Sequence, residues 1–400
     1  MKKLLSLIVV LLSAITFSTV WAQEGSELEI SGNVDVVSGW QRGLKNANYV
    51  STGLLGDGLQ AAAAAKGTDQ FGFYVDQVEL DLAKSFGENI RARADLDFSP
   101  HRWSGDGTTF VNIVGTTANF VGGGVGGVYV EQGYVTANVP AGNGIEFLVG
   151  RFNSGIGFDP IDRNELKTVS FSTIHRTLVP HNMTGARLGY QASDAIWFDL
   201  YVVNNLVDSF PANTDLPSTG ANFKYSWGDE GEKSWAKISA AFGPEQATNT
   251  NFSYFGDLAA NVAVSDGFWL GGEGIFRIDN GAAGANSQLI GGTLQTTYAF
   301  SDIWDGTLRY GFTWDRKGTM NVNANGLGSF FSAASAGAAA PAAFTGIGAK
   351  GSLHDIALAT SYSITDGAKF ILEARVDLSR PSGGSTGFHT GFGGQFAYSF

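Results

Sequence analysis

Gly383-Gly384-Ser385-Thr386-Gly387 matches the G-x-S-x-G pattern, which presents a serine nucleophile at a strand–turn–helix elbow. Here the flanking sequence reads as two strands joined by a glycine-rich loop, so the elbow has no helix to open. Gly122, Gly124 and Gly127 match a G-x-G-x-x-G phosphate cradle, but no βαβ pattern surrounds them. The five histidines (His101, His175, His181, His354, His389) show no metal-ligand spacing, and cysteine is absent. No catalytic residue, cofactor or metal is expected. The one enzyme alternative is a hydrolase assembled on a β-sheet wall, with His389 and either Ser399 or Ser361 as its candidates.

The charges are more informative. In IRARADLDF, Ile90, Ala92, Ala94, Leu96 and Phe98 share one face of a strand, and Arg91, Arg93, Asp95 and Asp97 share the other. The same period of two recurs in AIWFDLYVVN, ANFKYSW, SWAKISAAF, WDGTLRYGFTW and KFILEARVDL. It places Arg187, Asp199, Lys224, Lys237, Glu273, Arg277, Arg309, Glu373 and Arg375 on one common face, opposite an apolar face that often ends in aromatics. Bases and acids nearly balance on the polar face. Pairing across strands accounts for many of them, and rings of charge along a pore can also set selectivity.

The composition limits what can carry these runs. Charged residues are 16%, aromatics 12%, and 55 of 400 residues are glycine. Such a chain is too poor in charge and too rich in aromatics for disorder. Its net charge of −12 argues against nucleic acid as a partner. Met1-Lys2-Lys3 followed by LLSLIVVLLSAITFSTVWA reads as a secretory signal peptide over 1–22, cleaved after Ala22, with one barrel domain over 23–400. No later stretch is long and apolar enough for a membrane helix. An exported chain of alternating strands then has one membrane solution, a closed antiparallel β-barrel that satisfies every backbone group internally.

About 16 strands are predicted. Short Ser-Asp or Thr-Asp turns at 193–194, 265–266, 301–302 and 365–366 alternate with long polar or glycine-rich connections, including 153–182 and 315–352. Both termini fall on the short-turn, periplasmic side. Phe396, Tyr398 and Phe400 end the last strand on one face, which resembles the signal read by the outer-membrane assembly machinery.

The stretch Ile145–Asp208 carries a specific resemblance. A strand ending in Gly150-Arg151-Phe152 leads to a turn with Gly155 and Gly157 and a polar loop. Thr184-Gly185, Tyr190, a Ser-Asp turn and a strand closing on Asn204 follow. This is similar to the OmpL-like outer-membrane β-barrel porins, although Phe158-Asp159 departs from the expected element. The resemblance implies a location in the outer membrane of a Gram-negative bacterium, in contact with lipid and lipopolysaccharide. A 16-stranded barrel leaves an aqueous lumen, so passive diffusion of small hydrophilic solutes is the expected function. Porins also suggest that the third long connection, 153–182, folds inward, making Arg163, Glu165, Lys167 and Arg176 a candidate constriction with a transverse field. A non-conducting adhesin, receptor or hydrolase barrel stays open, as do monomer and homotrimer. The glycine- and alanine-rich stretch 327–349 reads as an extracellular loop.

Overall fold

In the computed structural model the described residues are 27–45, 69–98, 129–206, 216–228, 234–244, 252–280, 286–317, 350–382 and 386–400. The signal peptide, the stretch 327–349 and Gly122–Gly127 lie outside them, as does His101.

Sixteen strands form one closed antiparallel barrel in which each strand pairs with its sequence neighbours. They are β1 (Glu29–Lys45), β2 (Asp69–Phe86), β3 (Ile90–Asp97), β4 (Tyr129–Val139), β5 (Ile145–Asn153), β6 (Asn182–Ser193), β7 (Ile196–Val203) and β8 (Ser218–Trp227). Then come β9 (Ser234–Pro244), β10 (Phe252–Ser265), β11 (Phe268–Asn280), β12 (Asn286–Ser301), β13 (Trp304–Asp315), β14 (Gly351–Ser363), β15 (Ala368–Pro381) and β16 (Gly387–Ser399). The predicted strand 222–227 starts four residues earlier, at Ser218, because Thr219 and Ala221 extend its outward face.

Alternation decides which side of each strand meets lipid. On β13, Thr307, Arg309, Thr313 and Asp315 are buried inside, while Trp304, Leu308, Tyr310 and Trp314 stand exposed outside. Mid-strand Leu258 and Leu358 are 60% and 61% exposed, a surface only a hydrocarbon environment covers. The seam closes with Asn33 opposite Ser399 and Trp40 opposite Phe392. Beyond it, Gly32 and Phe400 exchange backbone hydrogen bonds of 3.1 and 3.0 Å. Phe396, Tyr398 and Phe400 therefore sit on the outer face of the closing strand, exposed.

One rim carries tight turns. Asp266-Gly267 is a two-residue example in which Gly267 takes φ +72°, a left-handed conformation that favours glycine. The long connections lie at the opposite rim. One of them, 154–181, turns into the barrel and contains a 3-10 turn (Arg163–Glu165) and a short helix α1 (Thr173–Thr177).

Candidate functional site

The inner wall is not uniformly polar. Leu148, Phe152, Met183, Val203, Phe255, Ile275, Leu289 and Leu353 point inward and are buried together with Ile156, Ile174, Leu178 and Val179 of the inward connection. This patch holds the connection inside the barrel by hydrophobic burial. Glycine lets it come close. A Cβ on Gly291 would stand 2.4 Å from Ile174 Cγ2 and 2.8 Å from Leu178 Cδ1. On the neighbouring strand, a Cβ on Gly271 would stand 2.5 Å from the Phe158 ring. Gly291→Val should therefore lift α1 off the wall at a cost of about 1–3 kcal/mol. Urea unfolding and protease nicking within 154–181 of the folded barrel would measure it, and wild-type behaviour in both would refute close packing there.

Polar anchors fix the rest of the loop. Arg309 donates to Thr168 Oγ1 (2.6 Å), Ser170 O (2.5 Å), Ser170 Oγ (3.0 Å) and Phe171 O (2.9 Å). Arg375 donates to Ser170 Oγ (2.6 Å) and Phe171 O (2.8 Å), and its Nε to Asp377 (2.7 Å). Glu373 accepts from the Ser170 amide at 3.0 Å and from its hydroxyl at 2.5 Å. Glu273 accepts from the Phe158 amide at 2.8 Å, and Asp355 from that of Thr173 at 3.2 Å. Arg309, Glu373, Arg375 and Glu273 thus face inward as expected, but none borders open lumen. The loop covers them and takes up part of their hydrogen-bonding capacity.

A similar correction applies to the loop itself. Arg163 is 4% exposed, pairs with Asp76 and donates to Val169 O at 2.6 Å. It clamps the loop onto β2 instead of projecting charge into a passage, because its guanidinium fork matches a carboxylate and a carbonyl there. Lys167, exposed, reaches Asp305 at 3.0 Å. Glu165 is exposed. Arg176 lies on α1, and its side chain is outside the described residues.

These anchors hold Phe158–Thr173 against β11, β13–β16 and β2, while the start of the loop, Ser154–Gly157, stays tied to β8 and β9. A cavity of about 620 Å³ remains on the other side, between Gly155–Glu165 and strands β6–β9, reaching Asp194-Ala195 at the short-turn rim. Its wall side carries Arg187, Lys224 and Lys237 together with Asp194 and Asp199, with Trp197 and Trp235 beside them; its loop side carries Asp159, Asp162 and Glu165. Lys224 lies opposite Lys237 in the ladder, and both ammonium groups stand 5.6 Å from the Trp235 ring. Lys237 also donates to the carbonyls of Gly155 and Gly157. Arg187 pairs with Glu146 at 2.7 Å, and Asp199 accepts from Trp197 (3.2 Å) and Asn222 (3.0 Å).

The remaining predicted wall charges pair locally. Arg91 meets Glu29 at 2.6 Å, Arg93 meets Asp95 at 2.7 Å, and Arg277 meets Asp279 at 2.8 Å. Asp97 is fully buried. Two carboxylate groupings, Glu79–Glu131–Asp162 and Glu79–Asp81–Asp95, bring oxygens within 4.8 Å of one another. Donors already serve them: Asn33 and Gln77 donate to Glu79, and Arg93 and Gln132 to Asp95. The inward apolar residues were missed from sequence, although Leu289 and Leu353 interrupt polar faces and carried that signal.

A family model described as "Putative beta-barrel porin-2, OmpL-like" matches residues 27–400. The chain belongs to this family. Membership makes it an outer-membrane β-barrel channel for small solutes. No curated protein matches its sequence. Among solved structures it is similar to the outer-membrane channel DcaP of Acinetobacter baumannii, with 13% identity, 94% of this chain and 98% of that chain covered, and a TM-score of 0.60. An anion-selective porin from Comamonas acidovorans matches at 11% identity, 94% and 99% coverage and TM-score 0.57. The trimer form of OmpT from Vibrio cholerae matches at 9% identity, 94% and 99% coverage and TM-score 0.54. At these identities the likeness is one of fold.

Proposed function

We propose that small hydrophilic solutes and ions diffuse passively through the passage between the inward loop and β6–β9, with no enzymatic step. The carrying observation is that Arg163–Thr173 is anchored on β2 and β13–β15, which leaves beside β6–β9 a cavity with all its bases on the wall and only acids among the charges on the loop. Solutes in transit meet Arg187, Lys224 and Lys237 on one side and Asp162 and Glu165 on the other, an arrangement that sets up a transverse field.

The ladder speaks against the hydrolase alternative. His389 lies opposite Asp377, whereas Ser361 lies opposite Ile371, whose other partner is Gln395. Six ladder steps at about 3.3 Å separate the two by roughly 20 Å along the wall, and Ser399 is farther still. Residues 1–22 serve as the leader in this reading, and the last strand as the handle for assembly. The trimer described for OmpT supports a homotrimer.

Planar-bilayer recording of Gln23–Phe400 under a salt gradient tests the proposal. Discrete ohmic steps are expected. Glu165→Lys should move the reversal potential toward anion preference and Lys224→Glu toward cation preference. No steps from a folded barrel would remove the channel reading, and two unchanged reversal potentials would remove the constriction.

A further inference from the structure

The outer surface at the long-loop rim is electrostatically uneven. Outward positions on β13, β14 and β15 carry even numbers, as Trp314, Ile356 and Leu372 show by their exposure. One step beyond the aromatic band, the same parity brings up Arg316, Lys350 and Arg380, all exposed. Asp315 pairs with Gly351 and Ser352 with Arg380, so Arg316 stands beside Lys350 and Arg380 one strand further on. At a strand spacing of about 4.8 Å and a rise of about 3.3 Å per residue, the three Cα atoms fall within roughly 12 Å, Arg380 lying two residues further down its strand. Like charges directly across a ladder destabilise it. No acid offsets them on this outer face among the described residues, because Asp315, Asp355 and Asp377 point inward and are buried.

The surface below the bases is graded. Arg316 lies 5.3 Å from the Trp314 ring. His354 bridges Tyr310 (2.8 Å) and Ser352 (2.9 Å), giving a polar aromatic belt at the height where headgroups meet hydrocarbon. Beneath the belt, Leu308, Leu358 and Leu372 are about half exposed or more. A cationic crown, a hydrogen-bonding belt and an aliphatic slope match one kind of occupant, an acylated lipid with a phosphorylated head.

We propose that this face of β13–β15 binds the phosphorylated glycolipid of the outer leaflet. Its phosphates sit on Arg316, Lys350 and Arg380, and its acyl chains lie on the leucines below. The long-loop rim faces the outer leaflet. Three cations spread over two strand spacings suit a head with more than one phosphate better than a single-phosphate phospholipid. Such contacts are charge-assisted and additive near a membrane surface.

The test uses the purified full-length barrel in mild detergent, with lipid binding followed by native mass spectrometry. The probes are diphosphoryl lipid A, its dephosphorylated form and phosphatidylglycerol. Wild type should hold diphosphoryl lipid A and release the dephosphorylated form. The R316Q/K350Q/R380Q variant should bind diphosphoryl lipid A roughly a hundredfold more weakly. K84Q, on the outer face of the opposite rim, should bind like wild type. The inference is overturned if wild type holds the phosphorylated and dephosphorylated lipids equally, which needs no variant to fold. It also fails if the triple variant binds like wild type, or if phosphatidylglycerol binds as tightly as lipid A.

Discussion

Deleting residues 158–178 and joining Gly157 to Val179 should leave a folded barrel whose conductance rises by more than about twofold, toward that of an unobstructed 16-stranded lumen. The geometry permits the cut. A Cβ on Gly157 would stand 2.9 Å from Val179 Cγ1, so the new ends already lie side by side. The base of the loop is pinned independently, with Ser154 N donating to His181 O at 2.8 Å and Ser154 Oγ to Pro180 O at 2.5 Å. Below it, Asn153 pairs with Asn182 and the β5–β6 ladder continues undisturbed. The wall's backbone hydrogen bonds run between strands, so closure does not depend on the loop. Stability should nonetheless fall. Inward Leu148, Phe152, Met183, Leu289 and Leu353 lose their cover, and each such side chain contributes about 1.5–3 kcal/mol when fully buried. Single-channel recording together with heat-modifiable gel mobility separates the two effects. Wild-type conductance from the deleted barrel would show that the loop does not limit flow.

The barrel was legible in sequence because a strand in lipid has so few options. Every second residue must be apolar over the thickness of the hydrocarbon, and IRARADLDF or KFILEARVDL allows no other register without placing charges in lipid. The site was less legible. Parity shows that Arg309, Glu373 and Arg375 point inward, but not whether water or protein meets them there. That depends on how 154–181 folds, and its own sequence lacks the period that gave the strands away. Arg163 illustrates the gap: on composition it is one more cation in a polar loop, yet the fold sets it against Asp76 and Val169 O. The readable clue lay in the wall. Ile275, Leu289 and Leu353 occupy positions where a water-filled lumen calls for polar residues, and Gly271 and Gly291 clear space beside them.

Replacing both Arg309 and Arg375 by methionine should release the same loop without shortening it. The two guanidinium groups are almost fully buried, at 0% and 1% exposure, and converge on the backbone and hydroxyl of Ser170 and on Phe171 O. Their charge is balanced by Asp355, 3.5 Å from Arg309 Nε, and by Asp377, 2.7 Å from Arg375 Nε. Methionine fills similar volume but takes both arginines from Asp355, Arg375 from Asp377 and Glu373, and the donors from the loop carbonyls. Breaking a buried pair from one side costs about 3–5 kcal/mol. The strand ladders cannot relieve that cost, but an undocked loop can, by letting water reach the carboxylates. The double variant should therefore keep its barrel mobility on gels, become cleavable within 154–181, and conduct in a higher, noisier state approaching that of the loop deletion. Arg309→Lys keeps the charge without the planar fork and should fall between the two. A double variant that conducts as quietly as wild type would show that the apolar patch around Ile174 and Leu178 holds the loop alone.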